Sequence, residues 1–305
     1  MMNATSLVSR SLCAGLLLEL LSTVAHARPP QVPPRVGPYQ LAAQPLGAGG
    51  VSTVYPAVDT RNGQQVAVKV TGFVEHARSE AEVLRRVGAP PGQRALFPRY
   101  VDYLEEPGRA YVVMEALPGR SLHDAVRGPM PEDAVVPIVM HVLRALRTLH
   151  AHGFVHGDVK PANVMLDEAL RPSSVRLIDF NTTRPVGWRG PEGPGYTRGY
   201  AAPEQFVWPR GIDPRTDLYL TGATAFALVT GEAPFETSVG ARNVLPWARQ
   251  RRGAPLRRSD HPLWTVIERA MEPDPARRYA SAQEMLDALR PLAGLPPPRP
   301  TSLPK

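Results

Sequence analysis

The stretch that decides the fold is His156–Leu166, HGDVKPANVML, followed a short way downstream by Leu177–Asn181, LIDFN. An Asp, a Lys and an Asn lie within six residues of each other, and a second Asp follows in an apolar run. Few chemistries use this set of side chains. The one that it fits best is transfer of a phosphoryl group from a magnesium nucleotide, because carboxylate and amide oxygens suit that ion.

The overall composition bounds the class of protein. The chain has 305 residues, of which 43% are hydrophobic, so it can form one large domain or two lobes around a real core. The net charge is +7, but the Arg residues are scattered and only 7% of residues are aromatic. Binding of an anionic nucleotide therefore explains the charge better than nucleic acid does. The single cysteine, Cys13, excludes an internal disulfide and a cysteine zinc site.

Composition also divides the chain into five segments. Residues 1–27 contain an apolar run, too short and too charged to span a membrane, which resembles either a secretory signal or an amphipathic helix. Residues 28–38 form a Pro-rich linker, expected to be extended, and residues 291–305 form a Pro-rich tail, expected to be a solvated end rather than a ligand for a polyproline-binding domain. Between them lie a lobe of strands with one helix, residues 39–117, and a helical lobe, residues 118–290. We expect a cytoplasmic location, with export or membrane association directed by the first segment as the alternative.

Local patterns predict the elements of both lobes. The strands of the first lobe are predicted at Tyr39–Leu46, Thr53–Asp59, Gln65–Thr71, Arg99–Glu105 and Ala110–Glu115, with a helix at Glu75–Val87. The helices of the second lobe are predicted at Glu132–His152, Arg215–Thr230, Val239–Arg251, Pro262–Met271 and Ser281–Leu289. Pro137 should delay or kink the first of these, and the Gly- and Pro-rich residues 182–205 should form an irregular loop.

A glycine-rich segment, LGAGGVSTV from Leu46 to Val54, joins the first two strands. Glycines let a backbone approach phosphates closely, although an ordinary hairpin would explain them equally well. On the next strand Ala67 and Lys69 share one face, because side chains alternate. A lysine buried beneath the loop needs an anionic partner, and Glu80 on the following helix is the natural one, since Glu82 faces elsewhere.

The order of these motifs resembles that of eukaryotic-like protein kinases, and in particular bacterial serine/threonine kinases. The glycine loop, V-A-V-K at residues 66–69, the helix glutamate, H-x-D-x-K-x-x-N and D-F-x are followed by Ala202-Pro203-Glu204, Asp217 and Arg278. Each motif is weak singly, but all eight in order over about residues 39–290 are specific. The resemblance implies an α+β, bilobal protein-kinase-like fold, with a small N-terminal antiparallel β-sheet lobe carrying one helix and a larger, mainly helical C-terminal lobe.

The resemblance also implies roles for the residues. Asp158 is the expected catalytic base, Lys160 neutralises the transferring phosphoryl group, and the Thr197 hydroxyl bonds both. Lys69, paired with Glu80, is expected to hold the α- and β-phosphates of ATP. The expected ligands of Mg²⁺, or alternatively Mn²⁺, are Asn163 and Asp179. The expected nucleotide-binding residues are Leu46, Gly47, Ala48, Gly49, Gly50, Val54, Ala67, Lys69, Met114, Glu115, Leu117 and Met165. Structural roles are expected for Glu204, Arg278 and Asp217.

Three positions depart from the family pattern. Gly157 stands where the family usually has an arginine that docks a phosphorylated activation loop, so such phosphorylation should not be needed. Asn181 replaces a glycine and is expected to take the left-handed backbone that glycine would adopt. Ser52 replaces the third loop glycine, which could weaken nucleotide binding.

The expected function is therefore transfer of the γ-phosphoryl group of Mg-ATP to Ser or Thr hydroxyls of proteins, and the chain itself is a candidate for autophosphorylation. One alternative is a pseudokinase that only binds nucleotide, although Lys69, Asp158 and Asp179 are all present. The other is a kinase-like enzyme acting on small molecules, which usually lacks the counterparts of Lys160 and of Ala202-Pro203-Glu204.

Overall fold

The computed structural model describes residues 33–48, 51–88, 95–188, 195–206, 211–235 and 258–296. The predictions at residues 1–27, at Gly49 and Gly50 and at the helix Val239–Arg251 lie outside the described residues. The chain divides into two compact units. The first contains the described residues up to Ala77 together with Asp102–Ala116, and the second contains Arg78–Val101 and the residues from Leu117 onward.

The sheet of the first unit has seven strands among the described residues, in the order β1-β2-β4-β5-β7-β6, with β3 paired to β4. Their bounds are β1 Arg35–Val36, β2 Tyr39–Leu41, β3 Gly47–Ala48, β4 Ser52–Asp59, β5 Gln65–Thr71, β6 Tyr100–Glu106 and β7 Arg109–Glu115. β5 is central, and six of its seven residues are buried, as its run of Val and Ala predicts. Helix α1, Val74–Val87, follows it.

The second unit is mainly helical. Its helices in the described residues are α2 Leu122–Ala125, α3 Glu132–Ala151, α4 Pro214–Thr230, α5 Leu263–Ala270 and α6 Ala282–Leu289. Small strands form two more sheets: β10 Val164–Leu166 lies between β8 Arg120–Ser121 and β11 Arg176–Leu177, and β9 Phe154–Val155 pairs with β12 Arg184–Pro185. The α+β fold class is thus confirmed.

Helix α4 is the central element of this core. Asp213 caps its first turn in a capping box with Thr216, Pro214 follows the cap, and Gly231 ends the helix in the left-handed region. Thirteen of its residues are buried, as expected for a helix that is largely apolar on all sides. Phe226 of α4 packs edge-on against the fully buried Trp264 of α5, with ring centroids 5.9 Å apart.

Helix α3 supplies ten further buried side chains. Of the described helices, it alone has the length and hydropathy for a membrane span, but 56% of that stretch is buried inside the protein, which is typical of a core helix. The predicted delay at Pro137 was wrong, since the helix begins at Glu132, and a kink at the proline stays a prediction. The proline removes one N–H near the exposed N-terminal end, where water can satisfy the carbonyl left behind.

Three other boundary predictions need correction. The strand predicted at Tyr39–Leu46 ends at Leu41, and a separate strand begins at Gly47, because the chain bends at residues 42–46, where Pro45 offers no N–H. The predicted linker ends earlier than residue 38, since Arg35 and Val36 pair with Gln40 and Tyr39. The tail begins with a turn of 3₁₀-helix at Pro291–Ala293, and only residues beyond 296 lie outside the described part.

A hydrogen-bond network links residues of β2, β4 and β6 in the first sheet. The hydroxyl of the fully buried Tyr39 donates to Asp102 at 2.9 Å and accepts from Arg61 at 2.9 Å, while Arg61 also pairs with Asp59 at 2.8 Å. Burial and then the hydrogen bond to Asp102 raise the pKa of Tyr39 to about 12, so the hydroxyl remains a donor well above neutral pH.

Tyr39→Phe should therefore weaken β2. Removing a buried hydroxyl that joins two polar side chains should lower the local free energy of opening by about 1–2 kcal/mol. Amide hydrogen exchange of residues 36–60 measures that opening. The matched control is Tyr103→Phe, whose hydroxyl donates to Glu105 at an exposed position. Unchanged protection in Tyr39→Phe would contradict the role given to this network.

Candidate active site

The first unit places four predicted nucleotide-binding residues on one face of its sheet. Val54 lies opposite Lys69, and Ala67 lies opposite Met114 in the strand register. Residues directly opposite each other, and residues two apart on one strand, point to the same side. Val54, Ala67, Lys69 and Met114 therefore share a face, with Gly47 beside Val54 on β3. The Lys69 side chain is buried, with 3% of its surface exposed.

The remaining nucleotide-binding predictions occupy different settings. Leu46 is largely exposed just before β3, and Glu115 is the half-buried last residue of β7. In the second unit, Leu117 is half-buried, and Met165 on β10 pairs with Ser121 and Arg176 of the neighbouring strands.

The second unit brings Asp158, Lys160 and Thr197 together in a closed triangle of hydrogen bonds. Lys160 Nζ donates to Asp158 Oδ2 at 2.7 Å and to Thr197 Oγ1 at 2.6 Å. The Thr197 hydroxyl donates in turn to Asp158 Oδ1 at 2.5 Å. Asn163 Nδ2 adds bonds to the backbone oxygen of Asp158 at 2.8 Å and to Oδ2 at 3.1 Å. Both carboxylate oxygens of Asp158 are thus oriented by neighbouring donors.

The backbone before Asp158 is held by a buried carboxylate. Asp217, in the first turn of α4, accepts the N–H of His156 and the N–H of Gly157, each at 2.8 Å. Its Oδ2 also bonds His150 Nε2 at 2.8 Å. The Asp217 side chain is fully buried, so these three partners replace water around it. The sequence indicated a structural role for Asp217, and the structure identifies its partners.

Glu80 and the segment after β11 meet inside the second unit. Glu80 is 1% exposed, and its Oε1 accepts the backbone N–H of Phe180 at 3.2 Å. Phe180 packs edge-on against Phe97 at 5.6 Å and lies 5.3 Å from the His156 ring. Glu82, by contrast, pairs on the exposed helix surface with Arg85 and Arg86, both at 2.6 Å, and the hydrogen bonds from Arg86 and then Arg85 hold its pKa below the ordinary value.

The short 3₁₀-helix Pro203–Phe206 is anchored by a buried ion pair. Arg278 donates from its two terminal nitrogens to the two oxygens of Glu204, at 2.7 and 2.8 Å. The guanidinium is completely buried and also donates to the backbone oxygens of Arg215, Glu272 and Pro273. Such a bidentate pair with every donor used is the arrangement in which a buried charge pair is tolerated.

A comparison with known protein families identifies the family to which the chain belongs. The family model described as protein kinase domain matches residues 41–288. The chain belongs to the protein kinase family. The match covers every predicted catalytic and metal-binding residue, including those between Lys69 and Thr197.

Curated relatives agree with the family. The chain is 32% identical over 267 residues to serine/threonine-protein kinase pkn2 and 33% identical over 285 residues to Pkn1, both of Myxococcus xanthus; these alignments cover 81% and 88% of the chain. It is 33% identical over 260 residues, 79% of its length, to serine/threonine-protein kinase PknL of Mycobacterium tuberculosis. The alignments cover 31%, 40% and 62% of the relatives, so the chain spans less than two thirds of each.

Two departures from the kinase pattern acquire a structural meaning. The left-handed residue after β11 is Asp179, with φ 66°, and not Asn181 as predicted. Asp tolerates this region because its side chain is short and polar, and the Asn181 N–H points back to Asp179 Oδ1 at 3.5 Å. Gly157 has φ +78°, a conformation in which an arginine would be strained.

Sequence reasoning missed one residue of this kinase domain, Gln205. It follows Ala202-Pro203-Glu204, is 4% exposed, and donates to the backbone oxygen of Gly157 at 2.8 Å. No signal in the sequence pointed to it, because a lone glutamine belongs to no spacing pattern.

Gly157→Ala should destabilise the kinase domain more than Gly153→Ala does. Both glycines have φ near +80°, so each substitution should cost about 1–2 kcal/mol in backbone strain. A Cβ on Gly157 would also lie 3.2 Å from the backbone oxygen of Thr182, whereas a Cβ on Gly153 would meet nothing within 4 Å. Urea unfolding followed by tryptophan fluorescence measures the difference, because all four tryptophans lie after residue 117. Equal losses in the two variants would show that the contact with Thr182 has no energetic weight.

Proposed function

We propose that the chain is an ATP-dependent protein kinase that transfers the γ-phosphoryl group of Mg-ATP to Ser or Thr hydroxyls of proteins. The observation that carries the proposal is the triangle of Asp158, Lys160 and Thr197. It presents a carboxylate whose two oxygens are oriented, beside an ammonium group that can meet a phosphoryl oxygen. The names of the relatives support serine and threonine as acceptors.

In this proposal Asp158 accepts the hydroxyl proton of the substrate as the hydroxyl attacks phosphorus. Lys160 neutralises charge on the transferring group, and Thr197 keeps the aspartate and the lysine in register. Phosphoryl transfer asks little covalent chemistry of the protein, so most of the rate should come from positioning and electrostatic stabilisation. The hydrogen bonds around Asp158 are the preorganisation that such a mechanism requires.

The residues present fit a magnesium ion held largely by phosphates and water. In the described part of the chain, no cluster of three or more His, Cys, Asp or Glu side chains could enclose a metal. Magnesium needs only one or two protein ligands when a nucleotide supplies the others. Asn163 and Asp179 are the ligands that we propose: the amide nitrogen of Asn163 is turned toward Asp158, which directs its oxygen elsewhere. When bound, the ion would neutralise charge on the phosphates.

Lys69 is the proposed phosphate-binding residue of the first unit. It shares a sheet face with Val54, Ala67 and Met114, the apolar residues proposed to contact adenine. Its pairing with Glu80, expected from the resemblance, stays a prediction.

The residues after Asp158 favour a protein kinase over the two alternatives. Lys160 and the anchored Glu204 belong to the features that small-molecule kinases of this fold usually lack, and both are engaged in the structure. A pseudokinase would have no need of the complete set of donors around Asp158. Because the reaction consumes ATP, a cytoplasmic location is part of the proposal.

We also propose that this kinase works without phosphorylation of its activation segment, residues 181–206. Thr182 Oγ1 donates to the backbone oxygen of His156 at 2.9 Å, and the buried Thr183 hydroxyl donates to the same oxygen at 3.4 Å. Arg184, also buried, donates to the backbone oxygens of Asn181 and Thr183. These contacts hold the start of the segment through neutral backbone oxygens. The neighbouring Gly157 has no side chain that could bind a phosphate.

Asp158→Asn should abolish most of the activity. The full chain is given Mg-ATP and a histone, and incorporated phosphate is measured. Loss of the proton acceptor should lower kcat by about 10²–10⁴-fold, whereas Asp133→Asn, at a side chain 85% exposed, should have no effect. Transfer in neither protein, with nucleotide still bound, would favour the pseudokinase. Phosphorylation of a small alcohol or aminoglycoside but of no protein would favour the small-molecule enzyme.

Phosphatase treatment should leave the activity unchanged. The hydroxyls of Thr182 and Thr183 already donate to His156, so the arrangement needs no added charge. The measurement is kcat before and after treatment, with mass spectrometry of residues 181–206 to verify that phosphate is gone. If treatment abolishes activity and rephosphorylation of Thr182, Thr183 or Thr197 restores it, the proposal fails.

A further inference from the structure

The side chain of Gln205 is buried and fully engaged. Its Oε1 accepts the backbone N–H of Ala202 at 2.9 Å. Its Nε2 donates to the backbone oxygen of Gly157 at 2.8 Å and to that of Gly195 at 3.2 Å. Only one orientation of the amide satisfies these partners, because the reverse would place its oxygen against two carbonyl oxygens.

The two carbonyls that Gln205 binds belong to residues close in sequence to Asp158 and to Thr197, the two partners of a short hydrogen bond. Gly157 immediately precedes Asp158, and Gly195 lies two residues before Thr197. Gly157 is thereby fixed through both of its backbone groups, with its N–H on Asp217 and its oxygen on Gln205. One side chain, that of Gln205, therefore links the backbone just before Asp158 to the backbone just before Thr197.

We propose that Gln205 is a positioning residue of the kinase reaction, which sets the distance between Asp158 and Thr197 by holding Gly157 and Gly195 together. The inference rests on the proposed kinase activity. Gln205 has no contact with Asp158, Lys160 or Thr197 among the hydrogen bonds of the described residues, so it acts through the backbone.

The chemistry of the site explains why a glutamine stands here. Two carbonyl oxygens require two hydrogens from one rigid group, and the primary amide supplies both while its oxygen caps the N–H of Ala202. An ionised glutamate would place a carboxylate oxygen, which can only accept, against the carbonyl oxygens of Gly157 and Gly195. A methionine would fill the same volume but would leave the two carbonyls and one N–H without this partner. Buried polar groups that lack a hydrogen-bond partner are destabilising.

Gln205→Met tests the proposal in the full chain, with Gln283→Met as its control. The amide of Gln283 likewise accepts from one side chain, Arg147, and donates to another, Asp287, but it lies on α6, away from these residues. Gln205→Met should lower kcat by about tenfold or more and leave KM for ATP within about twofold. In a chain that already carries Thr197→Val, Gln205→Met should lower kcat little further, because the Asp158–Thr197 hydrogen bond that Gln205 positions is already absent.

Two additional measurements separate positioning from general damage. Gln205→Glu keeps the volume and the acceptor for Ala202, and serves if the methionine variant folds poorly. Its kcat relative to the unaltered chain should rise as pH falls toward about 6, because a buried glutamate beside carbonyls protonates readily and regains one donor. Hydrogen exchange of residues 155–160 should increase in both Gln205 variants and not in Gln283→Met, whether or not the chain has kinase activity.

The outcomes distinguish this inference from the proposed function. If the unaltered chain transfers no phosphate but exchange of residues 155–160 still depends on Gln205, the kinase proposal fails, and only the structural part of the inference stands, namely that Gln205 holds the Gly157 backbone. A folded Gln205→Met that keeps full kcat overturns the positioning role. So does a loss that adds in full to that of Thr197→Val, or unchanged exchange of residues 155–160.

Discussion

The fully buried carboxylate of Asp217 is the constraint on which the site depends. A buried carboxylate is stable only if donors replace water, and here two of the donors are the consecutive N–H groups of His156 and Gly157. Two adjacent peptide groups bound to one carboxylate have little freedom to rotate. The residue that follows them is Asp158, so Asp217, far away in the chain, fixes the backbone from which the Asp158 side chain extends.

The position of Asp217 is itself secured by how α4 begins. Asp213 caps the helix, and its own pKa is held below the ordinary value: burial works against this, and the hydrogen bonds from the side chain and backbone of Arg215 outweigh it. Thr216, next to Asp217, donates to Glu204, which Arg278 clamps with both nitrogens. One helix start thus connects the activation segment to the loop that carries Asp158.

The parts of this kinase domain that could be predicted are those in which a local pattern decides the structure. The strand Gln65–Thr71 was predicted with its correct bounds because a run of Val between turn residues has few other outcomes. The Arg35–Val36 strand was missed because the prolines around it resemble a linker, although its pairing with Gln40 and Tyr39 overrides that composition. Gln205 was missed for a different reason. The partners of a glutamine depend on which carbonyls the fold brings near it, and no periodicity in the chain records that.

Gly157 connects these observations. An arginine at this position would have to adopt φ +78° and place its Cβ 3.2 Å from the oxygen of Thr182, a residue whose hydroxyl donates to His156. Glycine removes both obstacles and lets the activation segment approach the loop closely enough for Thr182, Thr183 and Gln205 to bond its carbonyls directly. Charge-assisted bonds to a phosphate are about twice as strong as neutral ones, but they can be removed by removing the charge. Several neutral bonds to buried backbone oxygens are individually weaker and cannot be switched in that way. The glycine before Asp158 therefore goes together with neutral bonds that hold Thr182 and Thr183 against the backbone oxygen of His156, and in the proposed function these bonds take the place of a phosphate clamp.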